Sequence, residues 1–113
     1  MTEETIFSKI INKELPSEIV FENDNVIAIQ DIAPKAPVHL LIMPKKPIRD
    51  IQSAEPGDLE LIGECIAVAQ QLAKEYNIED GYRLLTNNGP SAGQSVFHLH
   101  FHLLGGRPLG MMG

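Results

Sequence analysis

The stretch His98-Leu99-His100-Phe101-His102-Leu103-Leu104 alternates imidazoles with apolar side chains. On a β-strand, residues i, i+2 and i+4 share one face. Read as a strand over 96–104, it puts His98, His100 and His102 on one side of a sheet and Leu99, Phe101 and Leu103 on the other. Three of the chain's four histidines lie here. Imidazole is the side chain that is substantially neutral, nucleophilic and protonatable near pH 7. A row of three points to a metal site or a catalytic centre, because three imidazoles buried as ordinary core would each need a hydrogen-bond partner.

Outward from this strand, the preceding segment 88–95 (NGPSAGQS) is a Gly-rich loop, and 82–87 (YRLLTN) reads as another strand. Upstream, Ile62, Cys65, Ile66, Ala69, Leu72, Ala73 and Tyr76 recur at helical spacing, which predicts a long helix over about 55–76 with Ser53 as its N-cap. The apolar run 39–43 (HLLIM), closed by Pro44, reads as a buried strand. Two more strands are expected at 19–22 and 26–31, joined by an Asn23-Asp24-Asn25 turn. Phe7, Ile10 and Ile11 mark a short helix within 5–12, and the two prolines of 33–37 make that segment a loop. One long and one short helix with about five hairpin-like strands give an α+β fold with an antiparallel sheet.

At 113 residues the chain is expected to be one domain, 1–113, with a single core. A net charge of −6 argues against a general nucleic-acid or anionic-membrane binder, though not against a small anionic ligand. The lone Cys65 forms no internal disulfide and falls on the apolar helix face, where it reads as core. No stretch resembles a signal peptide or a membrane span, so a cytoplasmic protein is expected.

Two chemistries suit the histidines. Three could hold zinc with water as the fourth ligand. Against this, neighbouring same-face strand side chains stand in a row about 7 Å apart, which does not close a tetrahedron readily. Alternatively, a neutral imidazole could attack an electrophilic phosphorus or carbonyl and split one displacement into two. Gly93-Gln94-Ser95 directly precedes the motif and could supply donors to phosphate oxygens or a leaving group. The loop has no Gly-Lys-Ser/Thr ending and Ser95 has no nucleophile elbow, so neither a P-loop nor a serine hydrolase is indicated.

His-φ-His-φ-His-φ-φ, with φ apolar, resembles the signature of the histidine triad (HIT) superfamily. Further segments are similar to its histidine triad nucleotide-binding (Hint) branch: Thr5-Ile6-Phe7-Ser8-Lys9-Ile10, Asp31-Ile32-Ala33-Pro34, Ala36-Pro37-Val38-His39, Pro44-Lys45-Lys46, Gly81-Tyr82-Arg83, Gly93-Gln94-Ser95-Val96 and Leu104-Gly105-Gly106-Arg107. The resemblance implies a HIT-like fold whose sheet extends across a homodimer. It implies a purine nucleoside phosphoramidase that cleaves adenosine 5′-phosphoramidates to AMP and an amine. His100 would be the nucleophile, with His98 and His102 positioning it and the phosphate, and His39 standing behind it. Ser95 would act near the leaving group, Gly93 and Gln94 would shape the phosphate site, and Asn87 would meet the ribose-phosphate side. Asp31 would accept from the ribose hydroxyls, and Phe7, Ile10, Ile29 and Ile32 would form the purine slot. No cofactor is implied. Some relatives hold zinc through a Cys-x-x-Cys and two histidines. Thr5, Ser8 and Pro47 stand at three of those positions here and only His98 remains, so no metal is expected. A nucleotide-binding adaptor acting through a protein partner is the rival from another class, and the complete triad with Ser95 tilts against it.

Overall fold

The computed structural model describes residues 4–112. Helix α1 (Ile6–Ile11) is followed by strands β1 (Ile19–Glu22), β2 (Val26–Gln30) and β3 (Val38–Pro44). A 3₁₀ turn (Pro56–Asp58) leads into the long helix α2 (Leu59–Glu75), and then come β4 (Tyr82–Leu85) and β5 (Phe101–Gly105). The five strands form one sheet in the order β1-β2-β3-β5-β4, every pair antiparallel.

Local chemistry accounts for the elements. Thr5 and Ser8 cap α1 reciprocally: the Ser8 N–H donates to Thr5 Oγ1 at 3.1 Å and the Thr5 N–H to Ser8 Oγ at 2.8 Å. The Asn23 side-chain oxygen accepts from the backbone of Asn25 and Val26, each at 2.8 Å, and so closes the β1–β2 turn. Period-two patterning then splits the core. Val26 and Ala28 of β2, Leu40 and Ile42 of β3, and Phe101 and Leu103 of β5 pack with α2. Ile27, Ile29, Leu41 and Met43 pack with Phe7 and Ile10 of α1 on the opposite face. The central strands are therefore buried on both sides, which explains why 39–43 is apolar without alternation.

Four expectations are corrected. The histidine strand is shorter than 96–104: β5 begins at Phe101, so His98 and His100 precede it. β4 ends at Leu85 rather than at residue 87, because the Thr86 hydroxyl donates to the His100 carbonyl at 2.6 Å. Ser53 does not cap the long helix; its N–H and hydroxyl both donate to Asp50 Oδ1. Asp58 stands at the N-cap position of α2 without a side-chain capping bond; its carboxylate instead closes the 3₁₀ turn by accepting from the Glu55 N–H, while Lys46 donates to its other oxygen. Ile66, expected on the buried helix face, is 41% exposed. Cys65 is core as expected, and burial pushes its thiol up to about 12, which leaves it inert. Among the described residues, no helix is long and apolar enough to cross a membrane.

Candidate active site

The alternation of the histidine segment survives its departure from strand geometry. Leu99, Phe101 and Leu103 all join the core beneath α2. His100 and His102 instead open on a cavity of about 480 Å³ on the α1 face. Phe7, Ile10, Ile29 and Leu41 give it apolar walls, and Asp31, Ser95 and Ile32 complete it. Ile32 is 95% exposed, so it forms the rim rather than a wall. Phe7 stands edge-on to His100, with ring centroids 4.9 Å apart. A more open groove of about 590 Å³ lies between β4 and the C-terminal tail and contains none of the histidines.

Hydrogen bonds assign a tautomer to every ring. The His98 Nε2–H donates to the Pro44 carbonyl at 2.8 Å. The His98 carbonyl, held in place by that anchor, accepts from the His100 Nδ1–H at 2.7 Å. The proton of His100 therefore sits on Nδ1, and Nε2 carries a bare lone pair. His39 Nδ1 accepts the backbone N–H of Lys35 at 3.0 Å, so its proton sits on Nε2. That Nε2–H donates to His102 Nδ1 at 2.9 Å, which leaves the His102 proton on Nε2. The set comprises one nucleophilic nitrogen on His100 and one donor on His102, with ring centroids 5.2 Å apart.

All four rings are held below the ordinary histidine value of 6.5, in each case chiefly by burial. For His102 the neighbouring His100 and His39 add to burial and take it down to about 4, against the opposing pull of Asp31. His39 lies 3.3 Å from Asp31 Oδ2, but burial outweighs that carboxylate, so this is a close contact of a neutral ring with a carboxylate and not an ion pair.

The structure brings His100, His102, Ser95, Asp31, Ile32, Phe7, Ile10 and Ile29 together around the cavity. His98 is buried behind it. His39 touches His102, the third histidine, rather than the middle one. Gln94 is buried and shapes the loop: its oxygen accepts from the Gly89 N–H at 2.7 Å, and its nitrogen donates to the Arg49 and Val96 carbonyls. Gly93, at φ +101°, ends the 3₁₀ turn Pro90–Ala92, and the Asn87 amide lies beside it; neither lines the cavity. Sequence reasoning missed Ile6, Leu15, Pro16, Ser17, Gln30, Leu41 and Val96 along the cavity, as well as the Thr86 hydroxyl and the Lys35 N–H behind the histidines. Of these, Ile6 beside the helical Phe7 and Leu41 in the apolar run 39–43 carried a signal in the apolar pattern.

Asp31, His39 and His102 place ligand-type atoms within 4.8 Å of one another. A cation there does not fit the donor set. His39 Nδ1 already accepts an N–H, so binding metal through Nε2 would demand an imidazolate. Thr5 and Ser8 are likewise committed to the α1 cap.

Residues 12–109 match the HIT domain model. The chain belongs to the HIT family. It is 50% identical over 113 residues to a purine nucleoside phosphoramidase of Escherichia coli K12, covering 99% of this chain and 95% of that protein. It is 55% identical over 106 residues to a HIT-like protein of Chlamydia pneumoniae, covering 94% and 96%. A HIT family hydrolase from Clostridium thermocellum has the same fold at a TM-score of 0.93 and 45% identity, covering 99% of this chain and 98% of that one. The α+β architecture and the five-stranded antiparallel sheet are thus those of the HIT fold.

Proposed function

We propose that this HIT protein is a nucleotide hydrolase of the Hint branch, a purine nucleoside phosphoramidase that releases AMP and an amine from adenosine 5′-phosphoramidates. The observation that carries the reading is the bare Nε2 of a neutral His100, opening on an apolar cavity that also contains Asp31. The 50% identity to a phosphoramidase supports the same substrate class. Phe7, Ile10 and Ile29 offer the flat apolar slot a purine needs, with Ile32 at its rim, and Asp31 offers a carboxylate to the ribose diol.

The His100 lone pair attacks the α-phosphorus while the P–N bond breaks on the far side. The His102 Nε2–H donates to a non-bridging oxygen. Ser95 lies on the leaving-group side, where the departing nitrogen takes up a proton from solvent and leaves as the amine. Water then attacks the nucleotidyl-His100, gives its proton back to solvent, and returns AMP and the free imidazole. His98 contributes through its carbonyl, which keeps the His100 proton on Nδ1. Gly93, Gln94 and Asn87 fix the loop that presents Ser95 beside the phosphate. No step requires a cofactor or a metal.

The chain acts as one domain, cytoplasmic in setting, and pairs as a homodimer. β4 is an edge strand, and α2 leaves Leu59 and Ile66 exposed at 63% and 41%. A second copy would cover both and continue the sheet.

A panel of nucleoside phosphoramidates assayed with wild type and His100→Ala tests the reading, together with single-turnover trapping of labelled protein. Wild type should accumulate a nucleotidyl adduct. His100→Ala should lose at least about a thousandfold in kcat, some 4 kcal/mol of barrier, while still binding AMP. Binding of AMP without turnover or adduct in the wild type would favour the adaptor reading instead.

A further inference from the structure

The single proton of His39 is donated to one neighbour and lies close to the negative charge of a second. Because Nδ1 is occupied by the Lys35 N–H, the proton is on Nε2, and that nitrogen lies 2.9 Å from His102 Nδ1 and 3.3 Å from Asp31 Oδ2. The other carboxylate oxygen, Oδ1, accepts from the Ala33 N–H at 2.8 Å. Oδ2 is the oxygen beside the ring and the one with both lone pairs left for a ligand hydroxyl. Asp31 and His102 line the cavity, whereas His39 does not and is 6% exposed. A ligand hydroxyl can reach the His39 N–H only through that carboxylate.

A hydroxyl that donates to Oδ2 competes for its lone pairs. The pull of the carboxylate on the His39 N–H then weakens, and the hydrogen bond to His102 Nδ1 keeps that N–H without a competing charge. No proton changes place; an existing hydrogen bond is relieved of a competitor. The ring of His102 is thereby held with its Nε2–H toward the phosphoryl group. A buried hydrogen bond strengthens as it approaches linearity, so removing a charge that pulls the N–H aside holds the acceptor ring more firmly.

We propose that Asp31 and His39 form a positioning couple that makes the orientation of His102 depend on whether a ribose diol occupies the site. The proposal rests on the nucleotide reading above and adds to it that sugar recognition contributes to the chemical step and not only to affinity. Substrate discrimination would then fall on molecules carrying a cis-diol, and sugars without one would bind yet react slowly.

Two measurements test it. In the first, adenosine and 2′,3′-dideoxyadenosine 5′-phosphoramidates are compared at saturation. The dideoxy substrate should lose about threefold to tenfold in kcat besides its higher KM, the scale of one directed hydrogen bond. In His39→Leu, that kcat ratio should fall to about one. The second uses wild-type protein alone, so it does not depend on the variant folding. ¹⁵N-histidine spectra are recorded with AMP and with 2′,3′-dideoxy-AMP, and AMP should shift His102 Nδ1 and His39 Nε2 well beyond the effect of the dideoxy ligand. A dideoxy penalty confined to KM, or equal shifts with both ligands, would overturn the couple while leaving the phosphoramidase reading intact. Failure of AMP to bind would instead sink that reading, and the couple with it.

Discussion

Acidification gives a direct measure of whether the buried imidazoles are neutral. A histidine whose folded-state value lies below its unfolded value binds fewer protons when folded, so stability falls as pH falls through the unfolded value. All four rings shift in this direction. For His102 the interval runs from 6.5 down to about 4. Between about pH 7.5 and about pH 5.5 an unfolded histidine gains roughly 0.8 of a proton and a folded His102 almost none. Integrated and discounted for its partial exposure to water, that is about 1 kcal/mol from His102 alone. The other three rings add to it with the same sign. Glu22 and Asp58 are held below their ordinary 4.5 and 3.8 by Lys13 and Lys45, and by Lys46 and the Glu55 N–H, so they titrate below this window. Urea denaturation at the two pH values should therefore show wild type losing more than about 1 kcal/mol at the lower one. His102→Asn retains an acceptor for His39 and should lose correspondingly less. Stability that stays flat or rises on acidification would refute the reasoning. It would mean that protonated His39 is gained as an ion-pair partner of Asp31, and the assignment of His39 Nδ1 as the acceptor of the Lys35 N–H would fall with it.

Three further outcomes are expected. Phosphoramidase activity should survive exhaustive chelation; a loss restored by zinc would return the Asp31–His39–His102 cluster to consideration as a metal site. Gly106 has φ +95°, and a Cβ there would lie 2.9 Å from Pro37 Cβ, whereas one at Gly110 meets nothing within 4 Å. Gly106→Ala should thus destabilise by about 2 kcal/mol and Gly110→Ala by no more than about 0.5, read from denaturation midpoints. Sedimentation at micromolar concentration should give twice the 12.5 kDa chain mass, and a monomer would count against the paired sheet.

The fold was legible wherever burial imposes a period. β1 and β3 and the bulk of α1 and α2 lie where their apolar spacing put them, because packing against a sheet face permits little else. Legibility failed where a side chain replaces a backbone partner. Ser53 looks like a cap because it precedes an apolar repeat, but Asp50 is nearer and accepts from both of its donors. Ile66 fits the helical spacing and yet faces outward, since the wheel has a wider apolar stripe than one sheet covers. Leu15, Pro16 and Ser17 reach the cavity through a loop, and loops carry no period to read.

The same limit explains why the motif points to a chemistry but not to its geometry. A uniform strand over 96–104 would tie the His98 carbonyl into the ladder and leave the His100 ring without an orienting acceptor. The chain leaves the ladder instead. The Leu99 N–H donates to the Ile48 carbonyl at 2.6 Å, the His100 carbonyl accepts from Thr86, and the His98 carbonyl turns to the ring two residues on. The alternation that points to a strand is therefore needed for burial, since it keeps Leu99 in the core. In the proposed mechanism the irregularity at His98 and His100 serves the chemistry, since it selects the tautomer. A sequence pattern reports the first requirement, because hydrophobicity is periodic. The second is invisible to it, because it depends on where three backbone carbonyls point.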